Sequence, residues 1–254
     1  MRFVRYCYHQ KIAYGAVVDD AVHPLKGMPW DPLSLGEPVA SLDQVDLLAP
    51  CLPSKIVAVG LNYRAHAVEA GHPIPDEPIL FLKPPTAVIG PGAAIVYPAH
   101  QSQHVDHEAE LAVVIGRVAR HVRSTEAFDY VLGYTCANDV TARDLQRRDG
   151  QWTRSKSFDT FAPLGPWIVP ELDVSDLAIR CWVNGALRQD GHTREFIFAV
   201  DELIAFVSAV MTLAPGDVIM TGTPAGIGPL QPGDRVTVEI EGIGALSNQV
   251  VGNE

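Results

Sequence analysis

The segment Glu108-Ala-Glu110 opens directly onto an unbroken apolar run, Leu111-Ala-Val-Val-Ile115. An apolar run of this length reads as a strand. Residues i and i+2 of a strand project from one face, so the two carboxylates stand side by side where the strand enters the core. Two like charges at the edge of a core are unfavourable unless a cation compensates them. A hard divalent metal ion does so most economically.

The rest of the composition sets the frame for that strand. The 254-residue chain is 47% hydrophobic and 19% charged, which suits one large domain with a real core, or such a domain with a small appendage. Its 21 glycines and 20 prolines imply frequent turns and a β-rich fold. A net charge of -11 argues against nucleic acid as a partner, yet leaves room for a small anionic substrate held by a local Arg/Lys cluster. Four cysteines without CxxC spacing point to a reduced, cytoplasmic protein. Residues 1–14 carry charges throughout and lack an apolar signal core, and no run is long enough to cross a membrane.

Along the chain, residues 1–52 read as a small N-terminal β appendage and residues 53–254 as the main domain, with Pro50 and Pro53 at the boundary. Strands are expected at 2–8, 11–18, 55–60, 79–82, 94–97, 111–115, 130–137, 179–183, 217–220, 235–240 and 245–251. Asn184-Gly185 is the strongest short-range hairpin signal in the chain. Helices are expected at 62–70, ended by Gly71 and Pro73, at 141–148, ended by Gly150, and at 200–211. His104 to His107 reads as loop.

A third carboxylate, Asp139, follows the strand expected at 130–137. Glu108, Glu110 and Asp139 would make an all-oxygen site suited to Mg²⁺ or Mn²⁺. The alternative is a solvated strand edge with Asp139 as a helix N-cap. His104 and His107 raise a rival, an iron site of histidines and carboxylates, though surface or supporting roles suit them better. His66 and Glu69, three apart on a helix, share a face and form a candidate general-base pair for water, or a plain solvated pair. The Gly/Pro-rich stretch 71–78 would let that helix act as a lid. Lys156 lies among aromatic and turn residues and could stabilise an oxyanion or enolate. Arg143 and Gln146, three apart, could hold a substrate carboxylate or carbonyl, or form an exposed helix face. Thr223, in the glycine-rich turn Thr221-Gly-Thr-Pro-Ala-Gly-Ile-Gly228, could donate its hydroxyl to a small anion, or the segment could be a plain tight turn.

Six ordered blocks together resemble the fumarylacetoacetate hydrolase family: Gly60-Leu-Asn-Tyr-Arg-Ala-His66-Ala-Val-Glu69, Phe81-Leu-Lys-Pro84, Asp106-His-Glu108-Ala-Glu110-Leu, Asn138-Asp139-Val-Thr-Ala-Arg143-Asp-Leu-Gln146, Lys156-Ser-Phe-Asp159-Thr-Phe and Gly222-Thr223-Pro224-Ala-Gly-Ile-Gly228. The resemblance covers about residues 55 to 251. It implies an α+β, β-rich fold, the family's mixed β-sandwich roll with few helices, in a homodimer. It implies Mg²⁺ or Mn²⁺ on Glu108, Glu110 and Asp139, a water-activating dyad of His66 and Glu69, and Lys156 at the enolate. Arg143, Gln146 and Thr223 would contact substrate.

The expected reaction is hydrolytic C–C cleavage of an acylpyruvate-type 2,4-dioxo acid, leaving a pyruvate enolate whose charge the metal and Lys156 share. The same site would serve a decarboxylase of oxaloacetate-like acids or an isomerase of 2-hydroxydienedioates in aromatic catabolism. Two other classes stand beside it: a non-catalytic metal or ligand-binding module, and a cupin-like iron dioxygenase relying on His104 or His107.

Overall fold

The apolar run after Glu110 is a strand, Ala109–Ile115, and all seven of its residues are buried. The computed structural model describes residues 1–252. The strand is wedged between two antiparallel neighbours, Val131–Asn138 and Val218–Met220. Leu111, Val113 and Ile115 face one core, and Ala112 and Val114 face another. That two-sided burial explains a sequence with no polar alternation.

These strands are the centre of a 12-stranded sheet. On one side it runs through Val218–Met220 and Ile56–Gly60 to Ile79–Lys83. On the other it runs through Val131–Asn138 and Ala162–Val169 to Arg2–Tyr8 and Lys11–Val18. The amino-terminal strands thus join the central sheet directly, through Phe3 opposite Ile168. A five-stranded sheet, ordered Ala186–His192, Ala178–Val183, Arg235–Ile240, Gly244–Gly252 and Ile95–Tyr97, packs its apolar face onto the larger core. The helix Val200–Val210 adds Leu203, Ile204 and Val207 to the same core. The architecture is the expected β-rich α+β sandwich with few helices. The longest helix is far too short to cross a membrane.

Most expected elements are present within a residue or two. Asn184 and Gly185 have φ of 52° and 78°, as the two central residues of a type I′ turn require. Three differences have local causes. Residues 162–169, outside the expected strands because Pro163, Gly165 and Pro166 disfavour a ladder, form the strand Ala162–Val169. Its register with Val131–Asn138 is irregular, which accommodates residues that cannot donate to a ladder. Val105–His107, read as loop, is a strand in a three-stranded sheet between Thr141–Ala142 and Gly228–Leu230. The helix expected from residue 141 begins at Arg143, because Thr141 and Ala142 are claimed by that same sheet.

Asp217 pins two parallel neighbours at their starts. Its Oδ1 accepts the Ser54 and Lys55 amides at 3.0 and 3.2 Å, and its Oδ2 accepts the Ala214 amide at 2.8 Å and pairs with the Lys55 ammonium. Burial alone would raise this carboxyl, but the Lys55 and Ser54 side chains and the Ala214 amide hold it below the usual range. A depressed carboxylate stabilises the fold above the ordinary Asp range, about pH 3.9, and that contribution fades as pH falls through it. Replacing Asp217 with Ala should cost about 3 kcal/mol at pH 7 in urea titrations. The gap between wild type and variant should narrow on acidification; a constant gap from pH 7 to pH 3 would contradict the assignment.

Candidate active site

Two strand ends build the centre. Ala109 pairs with Asn138 and Glu110 with Ala137, so Asp139 leaves its strand beside the point where Glu108 and Glu110 enter theirs. Asn138 locks the crossing by accepting the Glu108 amide at 3.0 Å, and the Asp139 amide donates to the Glu108 carbonyl at 2.9 Å. One oxygen from each of Glu108, Glu110 and Asp139 lies within 4.8 Å of the others, and all three residues are buried. The solvated-edge alternative is therefore wrong for these residues.

Cations surround two of the three acids. The Lys156 ammonium donates to Asp139 Oδ2 at 2.6 Å and Glu108 Oε2 at 3.0 Å, and sits 4.8 Å from the centre of the Phe81 ring. Lys83, fully buried, pairs with Asp139 Oδ1 and donates to the Val140 carbonyl at 3.1 Å. Arg143 pairs with Glu108 through Nη2 and with Asp106 through Nε at 2.8 Å. Glu110 has no cationic partner in ion-pair contact among the described residues; its hydrogen bond comes from the Gly222 amide at 2.7 Å.

The protonation equilibria follow this division. Burial would raise the Glu108 carboxyl, but Lys156 and Arg143 outweigh it and hold it far below the usual range. Burial, reinforced by the charges of Asp139 and Glu108, pushes the Glu110 carboxyl well above its usual range. Lys156 is penalised by burial yet raised by Asp139 and Glu108. For Lys83 burial wins, and its ammonium is easier to deprotonate than usual. The cluster thus holds one carboxylate more than its cations balance. That excess, with three buried carboxylate oxygens converging, fits a hard divalent cation such as Mg²⁺ or Mn²⁺.

The His66/Glu69 pair lies across the chamber. His66 Nδ1 is 3.1 Å from Glu69 Oε2, and Glu69 Oε1 accepts the Gly226 amide at 2.9 Å. Their helix, Arg64–Glu69, is held from below by Tyr63, whose ring meets Phe196 edge-on at 4.9 Å. His66, Glu108, Glu110, Asp139, Lys156 and Thr223 all line one small chamber of about 30 Å³. It shares Leu61, His66 and Trp152 with an outer cleft of about 400 Å³, which Arg143 and Gln146 also line.

The glycine-rich turn does meet anions, but they are the chain's own carboxylates: Gly222 binds Glu110 and Gly226 binds Glu69. Both glycines have positive φ, 95° and 97°, and a Cβ on Gly226 would come within 2.2 Å of the Arg188 carbonyl oxygen. The Thr223 hydroxyl, expected to donate to a ligand, instead donates to the Ala109 carbonyl at 2.8 Å. It also accepts from the Gln189 side-chain amide at 2.7 Å. Arg143, expected on a substrate, is committed to Asp106 and Glu108, with Nη1 donating to Gln146 at 2.6 Å. The two histidines diverge. His107 is buried with Nδ1 3.2 Å from Gln189 Oε1, and burial lowers its pKa. His104 is partly exposed, 3.0 Å from Asp106. Neither belongs to the converging carboxylate group. Lys83 lies within the block Phe81-Leu-Lys-Pro84 but received no role from sequence, and Gln189 was not singled out; a lone Lys ending a strand and a Gln within a hairpin do not announce their partners.

Known proteins match this chain along its whole length. The family model described as fumarylacetoacetate (FAA) hydrolase C-terminal matches residues 55–251, and one described as Rv2993c-like, N-terminal, matches residues 1–50. A structure of 5-carboxymethyl-2-hydroxymuconate delta-isomerase from Mycobacterium smegmatis superposes with a TM-score of 0.94 at 46% identity, covering all of both chains. The chain belongs to the fumarylacetoacetate hydrolase family. The human mitochondrial oxaloacetate tautomerase FAHD2A is another relative, 47% identical over 84% of this chain and 72% of its own. The maleylpyruvate hydrolase of Sphingobium sp. SYK-6, solved with manganese(II) and pyruvate, has a TM-score of 0.83 at 32% identity over all of both chains. This fumarylacetoacetate hydrolase family member is thus an enzyme whose relatives carry isomerase, hydrolase and tautomerase names. Membership removes the cupin-like dioxygenase reading.

Lys83 offers a direct test of the buried charge balance. Lys83→Met keeps the volume but leaves Asp139 one cation short. Breaking a buried pair in this way should cost about 3–5 kcal/mol in denaturant titrations run in EDTA. A loss below about 1 kcal/mol would show that Lys83 does not balance the cluster.

Proposed function

We propose that this protein is a divalent-metal-dependent enzyme that acts on 2-oxo carboxylic acids through an enolate, and that its reaction is hydrolytic C–C cleavage of an acylpyruvate-type substrate. The observation that carries this reading is the Glu110 carboxylate, without an ion-pair partner among the described residues, in one small chamber with His66, whose hydrogen-bonded partner Glu69 lines the adjoining cleft. Glu108, Glu110 and Asp139 would hold Mg²⁺ or Mn²⁺. When bound, such an ion polarises the 2-keto oxygen and carries part of the negative charge that develops there.

The side chains supply the rest. Glu69, oriented by His66 and the Gly226 amide, takes a proton from water as the water oxygen attacks the distal carbonyl carbon. The bond between that carbon and the methylene breaks, and its electron pair passes into the enolate of pyruvate. The Lys156 ammonium stabilises the enolate oxygen. The proton held by Glu69 returns to the methylene carbon, giving pyruvate and a carboxylate. Gln146 lines the outer cleft and orients the substrate, Arg143 braces Glu108 and Gln146 beside it, and Thr223 supports the chamber wall.

A second reading uses the same dyad without water: a proton moved between carbon and oxygen of a 2-oxo acid, as in a tautomerase or isomerase. The relatives bearing those names favour it. A homodimer in the cytoplasm accompanies either reading; the four free thiols suit a reducing setting.

Product analysis separates the reactions. With Mg²⁺ or Mn²⁺, acetylpyruvate should yield acetate and pyruvate, and EDTA should abolish turnover. Oxaloacetate and a 2-hydroxydienedioate report decarboxylation and isomerisation in the same assay. Turnover of none of the three would end the enolate reading. Glu69→Gln should lower kcat by about 10²- to 10⁴-fold with little change in metal affinity. Glu110→Gln should instead weaken Mn²⁺ binding at least tenfold by calorimetry; undiminished affinity would remove Glu110 from the metal site.

A further inference from the structure

We propose that Gln189 is a positioning residue: through the glycine-rich turn 221–228 it holds the Glu69 base at a fixed separation from the carboxylate cluster. This rests on the enolate-site reading above and adds to it the residue that keeps the two halves of that site in register.

Gln189 is fully buried, and its side-chain amide makes four hydrogen bonds, the full complement such a group allows. Its Nε2 donates to the Thr223 hydroxyl and to the Pro224 carbonyl, both at 2.7 Å. Its Oε1 accepts the Ala109 amide at 2.9 Å and lies 3.2 Å from His107 Nδ1, which therefore carries the proton. The Thr223 hydroxyl closes a ring by donating to the Ala109 carbonyl at 2.8 Å. Ala109, Gln189 and Thr223 each donate once within that ring, so the amide has a single orientation. Neither a carboxylate nor an apolar side chain can supply both its donors and its acceptor. The partners are placed where the site is built. Ala109 stands between Glu108 and Glu110. Thr223 and Pro224 stand between Gly222, whose amide meets Glu110, and Gly226, whose amide meets Glu69. Gln189 thus fastens the carboxylate strand to the middle of the turn.

The hairpin that carries Gln189 is shaped to this contact. Cys181 pairs with Gln189 and Trp182 with Leu187, so Arg188 is an extra residue in its strand, a β-bulge that re-aims the side chains beside it. The hairpin backbone lies directly on the turn. A Cβ on Gly191 would come within 2.5 Å of the Pro224 side chain, and one on Gly226 within 2.2 Å of the Arg188 carbonyl oxygen. From Pro224 to Ile227 the turn has two hydrogen bonds among the described residues, Pro224 to Gln189 and Gly226 to Glu69. Without the first, the amide that orients Glu69 has no anchor of its own. The hairpin announced by Asn184-Gly185 thereby gains a part in the site, because its second strand delivers Gln189.

Gln189→Met, which keeps the side-chain length and removes all four bonds, tests this in two ways. In EDTA and without substrate, hydrogen exchange of the Gly222 and Gly226 amides should be about tenfold faster than in wild type or more, with exchange at Ile219 in the adjoining strand unchanged. With Mn²⁺ and the substrate that wild type turns over, kcat should fall about 10- to 100-fold with little change in KM or in Mn²⁺ affinity, because the distance to Glu69 changes while the groups that hold metal and substrate stay. In a Glu69→Gln background the same substitution should cost less than about threefold, since its effect passes through Glu69. If Gln189→Met does not fold, Thr223→Val, which opens the same ring by losing one hydroxyl, goes through the same cycle. Unchanged exchange at Gly222 and Gly226, or a kcat loss that multiplies in full with that of Glu69→Gln, overturns the role of Gln189 and leaves the enolate reading standing. Absence of wild-type turnover on acetylpyruvate, oxaloacetate and a 2-hydroxydienedioate overturns the enolate reading, and the positioning role with it.

Discussion

Four carboxylates, from Asp106, Glu108, Glu110 and Asp139, share one buried region with three cations, Lys83, Lys156 and Arg143. Burying any one of these charges alone would cost several kcal/mol, so the cluster survives only because nearly every member has a partner at hydrogen-bonding distance. Each pairing is long-range in sequence. Lys83 reaches Asp139 across 56 positions, and Lys156 reaches Glu108 across 48. The cluster therefore fastens together the edge strand Ile79–Lys83, the two central strands and the helices after them. Glu110 is the member left over. Its carboxyl is driven toward protonation by burial and by its acidic neighbours, and that frustration is what a divalent cation would relieve.

The fold's part is to make this local imbalance tolerable and reachable. Ala109–Ile115 is buried on both faces, so its one open end is where charge can be placed. The ladder with Val131–Asn138 sets the register that delivers Asp139 to that end, and the Asn138 side chain fixes it. The glycine-rich turn after Val218–Met220 closes the other side. Its positive-φ glycines let amides at Gly222 and Gly226 approach two different carboxylates, one in the cluster and one in the facing dyad. One turn thus couples the proposed metal site to the proposed base.

Much of this was legible in the sequence, for reasons that are themselves local. Asn184-Gly185 announces its hairpin because only a few residue pairs accept two positive φ angles. The β-branched runs announce their strands, and the carboxylate pair announces a need for charge balance. What escaped is non-local. Val105–His107 is a strand only because Gly228–Leu230 and Thr141–Ala142 meet it. Ala162–Val169 is a strand despite two prolines because the sheet needs a bridge between Val131–Asn138 and Arg2–Tyr8. Lys83 gains its meaning from Asp139 alone. Arg143 and Thr223 were readable as polar groups near a site, but not as groups already spent on Glu108, Asp106 and Ala109. A sequence shows which groups are available; the fold decides which of them remain free.

The central claim is that the excess carboxylate of this cluster is a cation's place and that Lys156 serves a ligand there. Crystals grown with Mn²⁺ and oxalate, with data collected for manganese anomalous scattering, test it most directly. The account predicts one dominant manganese peak among Glu108, Glu110 and Asp139, with oxalate beside it and the Lys156 ammonium turned from Asp139 toward the oxalate. No manganese at these three carboxylates, or manganese bound instead by His104 or His107, would contradict it.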